Sequence, residues 1–183
     1  MKRSILIFLV IGVTMLFFGC SEDSPMTPEL DQDDPTTNDL KCARGEKTEF
    51  SGISNFVAPG DAGTSVELPN GKILVKGISS QWHDDADDYR VTGNSFWYFN
   101  QLISGENTAQ LWGRAELYVD NDGGKWNMRW HGYQAPTPDG GFIIVADVFG
   151  RGVEGEVKGL VAKWRYTMNI SEGFFYAIEG YIR

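Results

Sequence analysis

Apolar and polar residues alternate with a period of two along most of the chain after residue 48. The segment AELYVD (115–120) places Ala, Leu and Val on one face and Glu, Tyr and Asp on the other. KWNMRWHG (125–132) and LVAKWRYTMN (160–169) repeat the pattern with tryptophan, tyrosine and methionine on the apolar face. This alternation is typical of antiparallel strands with one buried and one solvated face. No segment shows a helical period with caps, and the 22 glycines argue against long helices.

Turn signals separate these segments at regular intervals. TEFSGISNFV (48–57) and TSVELP (64–69) indicate two separate strands at the start of the domain. Asn70-Gly71 then lies between TSVELP and KILVKG, and an Asn-Gly pair in this setting is a strong hairpin signal. NDGG (121–124) joins two further strands, and Ser171 to Gly173 separate the last two. About eight strands at this spacing indicate a barrel or a sandwich. We predict an all-β fold, a single antiparallel barrel of about eight strands in up-and-down order over residues 48–183.

The first 47 residues have a different character. Lys2 and Arg3 precede 14 apolar residues, Ile5–Phe18, which are too few to span a bilayer but suit the apolar region of a signal peptide. Gly19-Cys20 then resembles the lipobox of bacterial lipoproteins, although Phe17 stands where that motif has leucine. The resemblance implies cleavage before Cys20 and lipidation of Cys20. A plain signal peptide, or a cytosolic start with a buried helix, is the alternative.

An acidic linker follows the predicted anchor. Residues 21–41 hold three prolines, several Ser and Thr residues and seven acids, a composition that cannot bury a core and that predicts an extended, disordered tether. The chain therefore divides into a signal peptide (1–19), a lipid-anchored linker (20–47) and a barrel domain (48–183). SED (21–23) resembles the acidic signal that directs some lipoproteins to the outer face of the outer membrane, although an acidic linker alone explains it equally well.

Charge narrows the choice of partners. The net charge of −9 becomes −11 when Lys2 and Arg3 leave with the signal peptide. No basic stripe suggests nucleic-acid binding. We expect the membrane as a partner through the lipid anchor, in the cell envelope at the outer membrane. A small hydrophobic ligand or another envelope protein is the further partner that we expect. If Cys20 is lipidated, Cys42 has no intrachain disulfide partner.

Three segments carry a resemblance to a known superfamily. DDYRVTG (87–93), KWNMRWHG (125–132) and GRGVEGEVKGLVAKW (150–164) resemble motifs of bacterial domains related to the allene oxide cyclase and dirigent barrels. The resemblance implies an eight-stranded barrel. In cyclases of that superfamily a glutamate and a bound water act on an epoxide inside the barrel, but no motif here places those residues.

Few residues suggest catalysis or metal binding. His83 opens HDDADD (83–88), which lacks the spacing of a known calcium loop and is interpreted as a solvated loop. DNDGG (120–124) begins like a calcium loop but fits a type I′ turn better. Strand acids that point inward would be candidate acids or bases, although outward, ion-paired positions are the default; they are Glu116, Asp147 and Glu179. We predict no catalytic residue, no metal site and no cofactor.

The aromatic residues are the remaining functional signal. The candidate ligand-binding residues are Trp126, Trp130, Trp164 and Tyr166, because aromatic walls with a few polar tips suit apolar or sugar ligands. The alternative is that these side chains only fill the barrel, since a narrow eight-stranded barrel is either plugged or holds one small ligand. We expect a non-enzymatic binding or structural module. The alternative is a cyclase- or isomerase-like enzyme that acts on a hydrophobic molecule inside the barrel.

Overall fold

Eight antiparallel strands pair in chain order, and the last pairs with the first to close the sheet into a ring. The computed structural model describes residues 46–183. The strands are β1 (Thr48–Glu67), β2 (Ile73–Ala86), β3 (Gly93–Gly105), β4 (Thr108–Val119), β5 (Gly124–Pro136), β6 (Phe142–Gly155), β7 (Val161–Asn169) and β8 (Phe175–Ile182). The predicted all-β, up-and-down barrel of eight strands is confirmed.

The connections define two ends of the barrel. We call the end with residues 68–72, 106–107, 137–141 and 170–174 the open end. The opposite end, which we call the closed end, holds residues 87–92, 120–123 and 156–160. At the closed end Val91 and Val157 are completely buried, and the indole N–H of Trp126 donates to the Arg90 carbonyl at 2.7 Å. These residues cover the core at that end.

The predicted hairpins and strand faces are confirmed. Gly71 N–H donates to the Leu68 carbonyl at 2.9 Å in the turn between β1 and β2. Asn121 and Asp122 both have positive φ, as the two central residues of a type I′ turn require. The apolar faces predicted for β4, β5 and β7 are buried; they comprise Ala115, Leu117, Val119, Trp126, Met128, Trp130, Ala162, Trp164, Tyr166 and Met168.

Two local interpretations were wrong. The sequence suggests two separate strands in residues 48–69, but β1 continues through Ala58–Ala62 with two register shifts. Bulges of this kind bend a strand without ending it. The interpretation of HDDADD (83–88) as a solvated loop was also wrong, because its first four residues belong to β2. Asp84 lies inside the barrel and is completely buried.

The predicted signal peptide, Cys20 and all but the last two residues of the predicted linker lie outside the described residues. No helix within residues 46–183 has the length and apolar character needed to cross a membrane.

Candidate functional site

A cavity of about 230 Å³ occupies the half of the barrel nearer the open end. Inward side chains from all eight strands, or residues beside them, surround it, and none is charged. The lining residues are Phe56, Ser80, Trp82, Trp97, Phe99, Gln101, Leu111, Trp130, Gln134, Phe142, Ile144, Ala146, Tyr166, Met168, Phe174 and Tyr176. Larger concavities, including one of about 680 Å³ beside Lys163 and Glu179, lie on the outer wall.

Aromatic rings form most of the cavity wall and brace one another. Trp97 packs edge-on against Trp130 and Tyr166, with ring centroids 5.0 and 4.9 Å apart. Tyr176 packs edge-on against Trp82 at 4.8 Å. Edge-to-face packing stabilises each ring beyond its burial of apolar area, so the wall is held in a defined shape.

Neutral polar groups interrupt this wall. Gln101 and Gln134 line the cavity toward the open end, where β3 and β5 approach their terminal turns. Tyr176 contributes a hydroxyl, and burial is the sole cause that raises the pKa of this phenol. These groups can form hydrogen bonds to a ligand but do not neutralise a ligand's charge.

A buried carboxylate lies beyond the cavity floor toward the closed end. Asp84 on β2 accepts hydrogen bonds from the hydroxyls of Ser54 on β1, Tyr166 on β7 at 2.8 Å and Ser95 on β3 at 3.4 Å. Ser54 and Asp84 are register partners across β1 and β2. We call these four residues the Asp84 cluster.

Burial and hydrogen bonding act on Asp84 in opposite directions. Removal from water penalises the charged form and raises the pKa of Asp84 to about 6. Hydrogen bonds from the three hydroxyls oppose that rise in pKa, and the electrostatic effect of the nearby His83 opposes it by the smallest amount. The carboxylate is therefore mostly ionised at neutral pH. Its charge in turn adds to burial in raising the pKa of the Tyr166 phenol well above its usual value.

Two wall residues connect the cavity to this cluster. The ring of Tyr166 lines the cavity while its hydroxyl donates to Asp84. The indole N–H of Trp97, another lining residue, donates to the Ser95 hydroxyl at 3.1 Å. Asp84 itself does not line the cavity. The carboxylate therefore influences the cavity through its aromatic wall.

The structure divides the four predicted ligand-binding residues into two pairs. Trp130 and Tyr166 line the cavity. Trp126 and Trp164 are buried but do not line it; they pack edge-on at 5.3 Å in the half of the barrel nearer the closed end. The sequence left open whether these side chains fill the barrel or line a cavity, and each alternative holds for one half. The barrel is filled near the closed end and hollow near the open end.

The predicted outward positions of the strand acids are confirmed. Glu116 lies 3.2 Å from the Lys125 ammonium, Asp147 accepts from Arg165 at 2.9 Å, and Glu179 is exposed. No group of three or more His, Cys, Asp or Glu side chains within residues 46–183 is arranged to hold a metal ion.

Sequence reasoning missed Asp84, Trp82 and Trp97. The signal for Asp84 is the phase of QWHDDA (81–86), in which residue 84 shares a strand face with Trp82. The four acids of HDDADD (83–88) obscured that phase, because an acid-rich run ordinarily indicates a solvated loop.

Comparison of the chain with protein-family models, with curated proteins and with solved structures found no match.

Proposed function

We propose that this chain is a lipid-anchored lipoprotein of the bacterial cell envelope, at the outer membrane, whose barrel binds one small molecule with an apolar body. The observation that carries the binding function is the aromatic cavity of about 230 Å³. The lipobox-like Gly19-Cys20 and the acidic tether support the anchor and the location.

The cavity volume limits the size of the ligand. An apolar cavity of about 150 Å³ accepts benzene, whereas pockets for drug-sized ligands span about 300–1,000 Å³. A cavity of about 230 Å³ therefore suits a molecule of one or two rings, or an aliphatic group of similar bulk. Gln101, Gln134 and Tyr176 can orient such a molecule through hydrogen bonds.

A second candidate function is a cyclase- or isomerase-like enzyme. Asp84 favours this function, because its carboxyl is completely buried and burial raises its pKa to about 6. Groups with such pKa shifts are common at active sites. A catalytic base must approach its substrate within hydrogen-bond distance. Three hydroxyls already occupy Asp84, and it does not line the cavity, so we favour binding without catalysis.

The binding function is tested by titrating naphthalene against the mature, lipidated protein in phosphatidylglycerol nanodiscs. We expect saturable shifts in the indole ¹⁵N–H signals of tryptophans. Ala146 is buried and lines the cavity, so Ala146→Leu should fill it and remove the saturable shifts. Ala177 on β8 is exposed, and Ala177→Leu is the matched control that should bind as the wild type does.

Failure of naphthalene and of other one- and two-ring neutral compounds to bind would contradict the proposed binding function. Equal binding by the wild type and Ala146→Leu would place the ligand outside the cavity.

A further inference from the structure

The barrel interior contains one negative charge and no positive charge to balance it. Among the described residues, Asp84 is the only charged side chain that is fully buried. The nearest positive candidate, His83, alternates to the opposite face of β2, with its Nε2 3.9 Å from a carboxylate oxygen of Asp120. An unpaired buried charge is costly, and an apolar residue would serve the core better. Packing therefore does not explain the presence of Asp84.

The aromatic wall adds to this negative potential. A cation over the face of Trp or Tyr is attracted by the negative charge of the ring face. Tyr166 donates its hydroxyl hydrogen to Asp84, and Trp97 donates its N–H to Ser95, which donates to Asp84 in turn. Linked hydrogen bonds polarise one another, so these donations increase electron density in both rings. Both rings line the cavity.

The same geometry disfavours an anionic ligand. None of the 16 lining residues is charged, so a carboxylate or phosphate would lose its hydration without gaining a partner cation. It would also lie near Asp84. A neutral ligand could bind, but it would make no use of the charge that the barrel holds.

We propose that the cavity selects a small organic cation, with a quaternary or tertiary ammonium group against the wall of Trp97, Trp130 and Tyr166 and with Asp84 as its counter-charge. This inference rests on the binding function proposed above and specifies its ligand class. Substituted ammonium groups suit such a wall because they are weakly hydrated and lose little on entering an aromatic site.

Three compounds of similar size and shape test this inference: choline, its neutral isostere 3,3-dimethylbutan-1-ol and the anion 3,3-dimethylbutanoate. Each is titrated against the mature, lipidated protein in phosphatidylglycerol nanodiscs, with the tryptophan indole signals as the readout and empty nanodiscs as the blank. We expect choline to bind about tenfold or more tightly than the alcohol, as a buried cation–π contact with a counter-charge implies. We expect no saturable shift with the anion.

Asp84→Asn removes the counter-charge with little change in side-chain volume. It should reduce choline affinity about tenfold and leave affinity for the alcohol unchanged. Asp85→Asn, at the exposed neighbouring position on β2, changes the net charge equally and should leave both affinities unchanged. If Asp84→Asn does not fold, the order of affinities of the three compounds for the wild-type protein tests the cation assignment.

Equal affinity for choline and the alcohol, or preference for the anion, would overturn the cation assignment. Continued binding of naphthalene in that case would leave the proposed binding function intact. If neither naphthalene nor any of the three compounds binds, both proposals fail.

Discussion

At the scale of single residues, Asp84 has the largest effect on the energetics of the interior. Three hydroxyl donors replace part of the water that the carboxylate loses on folding. Their compensation is incomplete, because burial still raises the pKa of Asp84 from 3.8 to about 6. The folded protein therefore binds a proton at Asp84 more tightly than the unfolded chain does.

This shift predicts a specific dependence of stability on pH. Between about pH 4 and 6 the folded state holds the proton of Asp84 while the unfolded state releases it, so the contribution of Asp84 to stability falls as the pH rises. Below that window the carboxyl is protonated in both the folded and the unfolded state, so its ionisation adds no cost to folding. Above the window the full cost of about 3 kcal/mol is present. Denaturant unfolding of wild type and Asp84→Asn at pH 4 and pH 7 measures the effect. The variant should gain about 2 kcal/mol relative to wild type between the two pH values, because part of the cost is already present at pH 4.

Asp85→Asn is the control, since Asp85 is exposed on the same strand. A difference between wild type and Asp84→Asn that stays constant from pH 4 to pH 7 would show that Asp84 titrates normally. The cost assigned to its burial would then be wrong.

At the scale of elements, small residues on β6, β7 and β8 explain why one half of the barrel is filled. Gly150 faces inward on β6 opposite Ala162 of β7, and Gly180 of β8 pairs with Trp164. A Cβ added at Gly150 would overlap the Trp164 ring, and one at Gly180 would lie 2.8 Å from Phe50 Cζ. Tryptophan rings thus occupy space that small residues leave open.

Gly150→Ala should consequently destabilise the protein. The added methyl group meets the rigid indole of Trp164, which is itself buried against Trp126, so neither ring can move without disturbing the other. We expect a loss of about 1–3 kcal/mol in the free energy of unfolding, the usual cost of overpacking. Gly105→Ala is the matched control, because its nearest neighbour, Thr108, would lie 3.9 Å from the new Cβ. Equal stability of the two variants in urea would contradict this account of the filled half.

At the scale of the whole molecule, the ring closes where residues 48–55 of β1 pair with β8. Residues 56–67 of β1 pair with β2 alone and keep one unpaired edge. For the lipoprotein that we propose, one acyl chain would give only marginal membrane binding, so stable attachment would require more than one.

Cys20→Ser tests the anchor. We expect the variant to lose metabolic labelling with palmitate and to retain its signal peptide, because the thiol that carries the lipid is absent. The chain has two cysteines, and Cys42→Ser is the matched control that should be labelled as the wild type is. Equal labelling of wild type and Cys20→Ser would contradict the lipoprotein assignment.

The sequence alone determined the class of fold and most strand faces, because both depend on local pattern. A period of two specifies which side chains share a face, and Asn70-Gly71 and NDGG (121–124) specify their turns within a few residues. Burial of the apolar faces of β4, β5 and β7 followed directly. The same phase placed Glu116 opposite the apolar face, whereas the direction of Asp147 and both ion pairs are known only from the structure.

Only the tertiary structure decided where the barrel is hollow and where its charge lies. Trp126 and Trp130 share one face of one strand, yet Trp126 fills the closed half and Trp130 lines the cavity. That difference depends on how much space the other strands leave at each height along the barrel axis. Gly150, for example, leaves the space that the Trp164 ring occupies. The burial of Asp84 likewise depends on Ser54, Ser95 and Tyr166, which are up to 82 residues away in sequence. Hydrogen-bond donors from three other strands converge on this carboxylate only when the ring closes, and no local pattern records that convergence.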